Sequence, residues 1–554
     1  MNVGDVRVLS PADIPNGVNF PQGPTARQFL MVVGNTNPQQ DSVAHYVVRA
    51  DRSSGATVTS YRSPQPVAAV TRVTDNVLTS KSLQEAIHNK IRDFERRSLT
   101  LPGSTRSASV VGGAARSSVQ LSALCTTAVG DTLSLKIPNA ATTSLCTNFI
   151  STKAVVASVS RRAIIAIDTL DGDYKTLFPA VVLDSIANEF DALTFPTDSS
   201  YYNAPTDIDN NGRVIMLFSG QINKLTPPNS TTLIGGFFFA GDFFPTTGSQ
   251  PGSFCAESNR GEIFYLMSPD PNGKFGNVRT PSKVRQETRG TIAHEFQHMI
   301  NAGNRFQNPA VKRFESTWLD EALAHFAEDA VGRVQRGFGD LQTLDHNSIL
   351  PCSPCSPAND YDAFFYQNLA RLTYWMVNPD DFAPTSKMAD TSLATRGAAW
   401  AFLRYVADNY SGANPRALTR KLAAGPDTGV ANLTAATGVS MDTLVAGWLV
   451  SMYADHRGIP GLASNYQYRS YNFQSVMPPV AKALLNQPIE AYPLIVQSIG
   501  TGTDSVPGMN RSGSGTYYML TVAPGVGTKT VQIQDQSGAV ASFPGEHVYV
   551  LRVQ

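Results

Sequence analysis

The chain is short of charge. Only 16% of its 554 residues are Asp, Glu, Lys or Arg, against roughly 25% in ordinary soluble domains. Its 44 basic residues balance 44 acidic ones, which excludes the single-sign field by which a protein grips nucleic acid or an anionic membrane. No apolar run is long enough to span a bilayer. Met1-Asn2-Val3-Gly4-Asp5 does not read as a signal peptide, so a secreted or surface/periplasmic protein is expected to have lost its leader before this start. A serine nucleophile elbow is also missing, because Ser512 stands where GxSxG needs its first glycine. Cysteine is scarce and odd in number, with five residues that cannot all pair within one chain. Cys125 and Cys146 are placed to close a loop between nearby strands. Cys352-Ser353-Pro354-Cys355 reads as a tight disulfide, a redox pair or half a metal site, and without a second CxxC it is not a four-cysteine zinc site. The disulfide reading implies an oxidising compartment.

Gly, Ser, Thr, Asn and Pro are plentiful instead, and favour β structure with many turns. The length exceeds one core and implies about three or four domains. The expected organisation is α+β and multidomain: an N-terminal β domain at 1–78, a helix and Ser/Gly-rich linker at 79–120, a catalytic domain at 121–465 and a C-terminal β domain at 466–554. Residues 28–33 and 43–48 read as strands pairing in a hairpin. Leu83, Ile87, Ile91 and Phe94 recur at helical spacing and predict an amphipathic helix over 81–97. Residues 99–118 read as a linker open to proteolytic nicking. Strands are expected at 154–157, 163–167 and 213–218, helices at 178–193, 284–301, 316–333, 362–377, 397–410 and 441–454, and strands again at 517–522, 530–533 and 547–553.

Chemistry concentrates in Thr291-Ile292-Ala293-His294-Glu295-Phe296-Gln297-His298-Met299-Ile300. On a helix His294 and His298 stand one turn apart, about 6 Å along the axis, on one face. Two imidazoles so placed can bind one Zn²⁺ from the same side. Glu295, beside the first, is positioned to hydrogen-bond a metal-bound water. Ile292, Phe296, Met299 and Ile300 are free to pack the other sides. A catalytic zinc needs a third protein ligand and an open fourth place. Glu321, in Trp318-Leu319-Asp320-Glu321-Ala322-Leu323-Ala324-His325, follows His298 by 23 positions, which suits a helix, a turn and an antiparallel return helix. Glu315, His325 and Glu328 are its rivals, with Glu328 better suited to support a ligand than to be one.

These two segments resemble the gluzincin metallopeptidases, and within them the hyicolysin-type neutral metalloproteases of bacteria. The likeness extends more weakly through Thr206–Val214, Ile234–Phe238 and Ser258–Tyr265, and covers about residues 150–456. It implies Glu321 as third ligand, from the Glu of a Trp-Leu-(Asn/Asp)-Glu-(Gly/Ala) stretch. It also implies a strand-rich lobe and a helical lobe flanking a cleft, with an edge strand holding a protein or peptide substrate. Glu262–Tyr265 is the candidate for that strand. The implied activity is zinc-dependent endopeptidase, with Glu295 as general base. The family's Tyr-x-Lys-Gly-Ala stretch appears here as Ala394-Thr395-Arg396-Gly397-Ala398, which removes its tyrosine. That leaves Arg396, Tyr361, Tyr366 and His346 as candidates for stabilising the oxyanion.

Asp207-x-Asp209-x-Asn211-Gly212 matches the start of a calcium loop, but its twelfth position is Phe218 where a Glu belongs. Calcium at Asp207, Asp209 and Asn211 therefore competes with a simple polar turn. The competing function is a surface-binding or adhesion protein that keeps a structural zinc without turnover.

Overall fold

Strand-forming runs at the two ends of the chain meet in space. The computed structural model describes residues 1–50, 83–102, 127–230, 233–350, 358–387, 392–486, 490–499, 505–535 and 537–554. Its N-terminal strands are β1 (Val6–Leu9), β2 (Val18–Phe20), β3 (Arg27–Asn35) and β4 (Val43–Ala50). Six strands follow: β5 (Thr132–Pro138), β6 (Phe149–Val159), β7 (Ala163–Asp168), β8 (Val214–Ser219), β9 (Gly236–Phe238) and β10 (Ile263–Met267). The C-terminal strands are β11 (Gln497–Ile499), β12 (Ser505–Arg511), β13 (Gly515–Val522), β14 (Lys529–Gln534) and β15 (Glu546–Arg552).

The end strands interleave into a sheet of order β1-β15-β3-β13-β11 and a second of order β12-β4-β14-β2. The hairpin expected between the first two long strands does not form: β3 and β4 lie in different sheets. The alternating burial of β4 shows why, since one of its faces closes against Phe20, Phe29, Val33 and Tyr518 in a core shared by both ends.

The middle sheet has the order β5-β6-β7-β8-β10-β9. Its strands β7, β8 and β10 run parallel and are buried at every position, as a parallel sheet covered on both faces requires. β10 is hydrogen-bonded to β8 on one side and β9 on the other. The expectation that Glu262–Tyr265 forms the substrate's edge strand is therefore corrected, and the edge belongs to β9.

Five helices build the site: α1 (Leu83–Ser98), α2 (Pro281–Gln307), α3 (Thr317–Gln335), α4 (Gln367–Met376) and α5 (Leu393–Tyr410). Thr280 caps α2 by accepting the Lys283 amide, and Pro281 occupies its first turn. Phe296 anchors α2 against Phe190, Phe195 and Phe264, with ring centroids 5.1, 5.3 and 6.2 Å away. Ile292, Met299 and Ile300 are buried as expected. Gly397 lets α5 touch the backbone of α4, since a Cβ there would stand 2.2 Å from Leu372 N. A helix over Phe473–Leu485 escaped the sequence reading because Pro478 and Pro479 lie inside it.

Cys146 is bonded to Cys255, 109 residues away, and not to Cys125. The segment around Cys255 runs beside β5, where Asn259 holds both backbone groups of Lys136 at 3.0 and 2.7 Å, so that partner is at hand. Cys125, Cys352, Cys355 and most of the Ser/Gly-rich stretch lie outside the described residues. No single helix among the described residues is long and apolar enough to cross a membrane.

Candidate metal centre

α2 and α3 pack side by side, and their facing polar side chains meet in a buried cluster. His294 Nε2 lies 3.1 Å from His298 Nε2 and 3.4 Å from Glu321 Oε2, and His298 Nε2 lies 3.7 Å from Glu321 Oε1. Donors bound tetrahedrally at about 2.1 Å stand about 3.4 Å apart, so these spacings suit one ion. The hydrogen bonding fits too. His294 Nδ1 is 2.8 Å from Glu328 Oε1, and His298 Nδ1 is 3.0 Å from Asp320 Oδ2. A proton on each Nδ1 leaves two Nε2 lone pairs facing each other, an arrangement that a cation between them would relieve. Both carboxylate oxygens of Glu321 are buried and without a hydrogen-bond partner, which is costly unless a positive charge is supplied.

The electrostatics agree. Burial drives the Glu321 carboxyl upward, but Arg396 and the neighbouring imidazoles hold it well below its ordinary range. Burial lowers His294, while Glu321 and Glu328 outweigh it and raise the imidazole to about 9. Burial, helped by the charges of Arg371 and His294, outweighs Glu328 at His325, which falls to about 4. The cluster thus collects anionic oxygens around imidazoles and favours a divalent cation.

Glu295 is fully buried. Its Oε2 accepts the Phe238 amide of β9 at 2.8 Å, so the candidate base is fixed on the edge strand. Beside it opens a cavity of about 440 Å³, bordered by Gly235, His294, Glu295, Ala363 and Arg371.

The rival residues have other partners, and His325 also stands in close donor groups with His294 and Glu328 and with Glu85 and Glu321. Glu328 supports His294 and also accepts from Asn368. His325 stands 3.1 Å from Glu328, not in the group that holds both His294 and His298. Glu315 pairs with Arg305 and accepts the Gly429 and Ser316 amides. Of the four oxyanion candidates, Arg396 alone reaches the cluster, 3.7 Å from Glu321 Oε1. None of the four, Arg396 included, borders the cavity. In the acidic loop, Asp207 accepts the Asn211 and Gly212 amides, Asp209 accepts from Asn211, and Asn211 Oδ1 takes the Arg213 amide. Those bonds are those of a polar turn, and Asp207 and Asp209 also stand with Glu262 in a group of carboxylates close enough to share a cation.

Sequence reasoning missed His88. It sits on α1, is 3% exposed, and joins His294, His298 and Glu321 in one group of donor atoms within 4.8 Å of one another. Its Nε2 is 3.0 Å from Glu295 Oε1, and its Nδ1 is 3.7 Å from Glu321 Oε2. Asp320 was also overlooked, although its position immediately before Glu321 puts it one helical step around toward His298.

Comparison with known proteins agrees with the chemistry. No family model matches the chain. Among curated proteins, the neutral metalloprotease ShpI of Staphylococcus hyicus is 29% identical over 144 residues, 26% of this chain. The match covers 30% of that protein, so the chain spans less than a third of its relative's length. This partial likeness and the buried His/Glu cluster together support a metalloprotease relationship.

Proposed function

We propose that the chain is a secreted zinc endopeptidase of gluzincin arrangement, with His294, His298 and Glu321 holding the ion and Glu295 acting as general base. One observation carries this reading: two Nε2 atoms 3.1 Å apart, each with its opposite nitrogen fixed on a carboxylate, facing a buried carboxylate that has no hydrogen-bond partner. Zinc bound there would polarise a carbonyl oxygen and lower the pKa of water to about 7. Glu295 would take the proton of the attacking water and return it to the departing amine. A peptide would lie extended along β9, whose outer edge is its only unpaired side among the described strands. Arg396 would hold Glu321 in place. The middle sheet and helices α2–α5 supply the two lobes of the cleft, and the Cys146–Cys255 disulfide supports an oxidising compartment.

The second reading, a non-catalytic zinc-stabilised binding protein, draws on His88, because four protein donors are the mark of a structural zinc. A structural site does not need Glu295 poised between the cluster and an edge strand, which favours the enzyme. The test is Glu295→Gln, which should retain zinc by mass spectrometry and lose casein hydrolysis by about a thousandfold or more. Retention of the full rate would remove Glu295 from the mechanism.

A further inference from the structure

α1 has no role in the peptidase reading, yet it touches every working part of the site. Gln84, His88, Arg92 and Glu95 fall on successive turns and form one stripe. Gln84 accepts the Gly235 amide at 2.8 Å and donates to Gly236 O at 2.7 Å. Arg92 donates to Phe238 O at 2.7 Å, and Glu95 accepts the Ala240 amide at 2.6 Å. These are the outward backbone groups of β9 and its flanks, the ones an extended peptide would use. On the adjacent face Glu85 and Asn89 each take a nitrogen of Arg396 at 2.6 Å. Between the two sets His88 directs Nε2 at Glu295. Its other nitrogen, Nδ1, is buried without a hydrogen-bond partner and faces Glu321. A buried imidazole nitrogen so placed needs a proton acceptor or a metal, and its 3.7 Å from Glu321 is close to the spacing of the other three donors.

We propose that His88 fills the coordination place an active peptidase leaves to solvent, and that α1 lies where substrate would lie, so that this chain holds itself latent. The proposal rests on the metallopeptidase reading above and adds its regulation. It makes three demands of α1: a ligand for the metal, a partner for the base, and hydrogen bonds for the edge strand. The side chains of one 16-residue helix meet all three. Activation then requires only that α1 leave the cleft, because α2 and α3 contribute the other three donors without it.

Cobalt(II) as a spectroscopic probe and acetohydroxamate, a chelating ligand of divalent metals, test it on the full chain. Native protein and His88→Ala should each take up cobalt. Excess acetohydroxamate should leave the native visible absorption unchanged and shift that of His88→Ala, whose cleavage of a short peptide should rise by about tenfold or more. An equal shift in both proteins would overturn the proposal and leave the metallopeptidase reading intact. A shift confined to His88→Ala with no peptide cleaved would uphold His88 as the fourth donor and remove the peptidase reading instead. Should His88→Ala fail to fold, Gln84→Ala/Asn89→Ala keeps every ligand and removes two neutral contacts of α1. Its cobalt should then admit acetohydroxamate more readily than native protein, and an unchanged response would overturn the proposal.

Discussion

α1 and α2 deliver histidine and glutamate to the same buried place by opposite means. α2 is a 27-residue helix anchored by Phe296, Met299 and Ile300 in the main core, so its polar face is carried in by apolar packing. α1 inverts the usual order. Of its apolar residues only Ile91 is fully buried in the main core, with Leu83, Ile87 and Phe94 packed partly exposed against it, while Glu85, His88, Asn89, Arg92 and Glu95 are all buried. Burial of that kind is tolerated only where each group finds a partner, and such pairs add little net stability compared with apolar packing. The comparison separates foundation from occupant. α2 is held mainly by apolar packing, whereas α1 adds to its one core anchor, Ile91, a set of buried polar contacts, which is why the proposed latency assigns the movement to α1.

The largest test of that division contrasts two glutamates near Arg396. On the proposed ligand set, Glu321→Ala on α3 should weaken zinc binding by well over a hundredfold, since it would remove a ligand and not merely a supporting contact. Glu85→Gln on α1 should change zinc affinity by less than about tenfold. Chelator competition measures both, and comparable losses would abolish the distinction between foundation and occupant. A smaller effect belongs to the supports of α2. Asp320→Asn should keep the fold and cost about 10–100-fold in zinc affinity, because His298 loses the carboxylate that sets its tautomer. An unchanged affinity would show that His298 is oriented by packing alone.

The difference between the two helices also marks where the sequence was legible. His294 and His298 stand out in the sequence because both sit on one helix at a spacing that suits two ligands of one metal. Glu321 required only a short helical return, and the strongly periodic helices and buried strands were read within a few residues. His88 was hidden because its geometry depends on a helix docking across the cleft, and one histidine within a charged stripe carries no spacing signal. The pairing of β3 and β4 into separate sheets was hidden for a related reason: their partners lie more than 450 residues away, and no local pattern specifies such a contact. Cys146 likewise chose a partner brought near by the path of the chain beside β5, not one near in sequence.

The finest distinction concerns charge within α1 itself. Burial lifts the Glu95 carboxyl to about 7, although Arg92 and the Ala240 amide pull it down. Its unfolded value is about 4.3, so the folded state binds the proton more tightly. The stability this contributes is intact below about pH 4 and is lost as pH rises through about 7. Glu95→Gln mimics the protonated form and retains an acceptor for Ala240. The variant should melt with the native chain at pH 4 and above it at pH 8, with a difference on the order of 1 kcal/mol. α2 predicts the opposite slope for its own glutamate, because burial at Glu295 is outweighed by His88 and its carboxyl is held below the ordinary range. Parallel melting curves for native and Glu95→Gln protein across that interval would mean that Arg92 keeps Glu95 ionised throughout. α1 would then carry a permanent internal Arg92–Glu95 ion pair, and its hold on β9 would not weaken with pH.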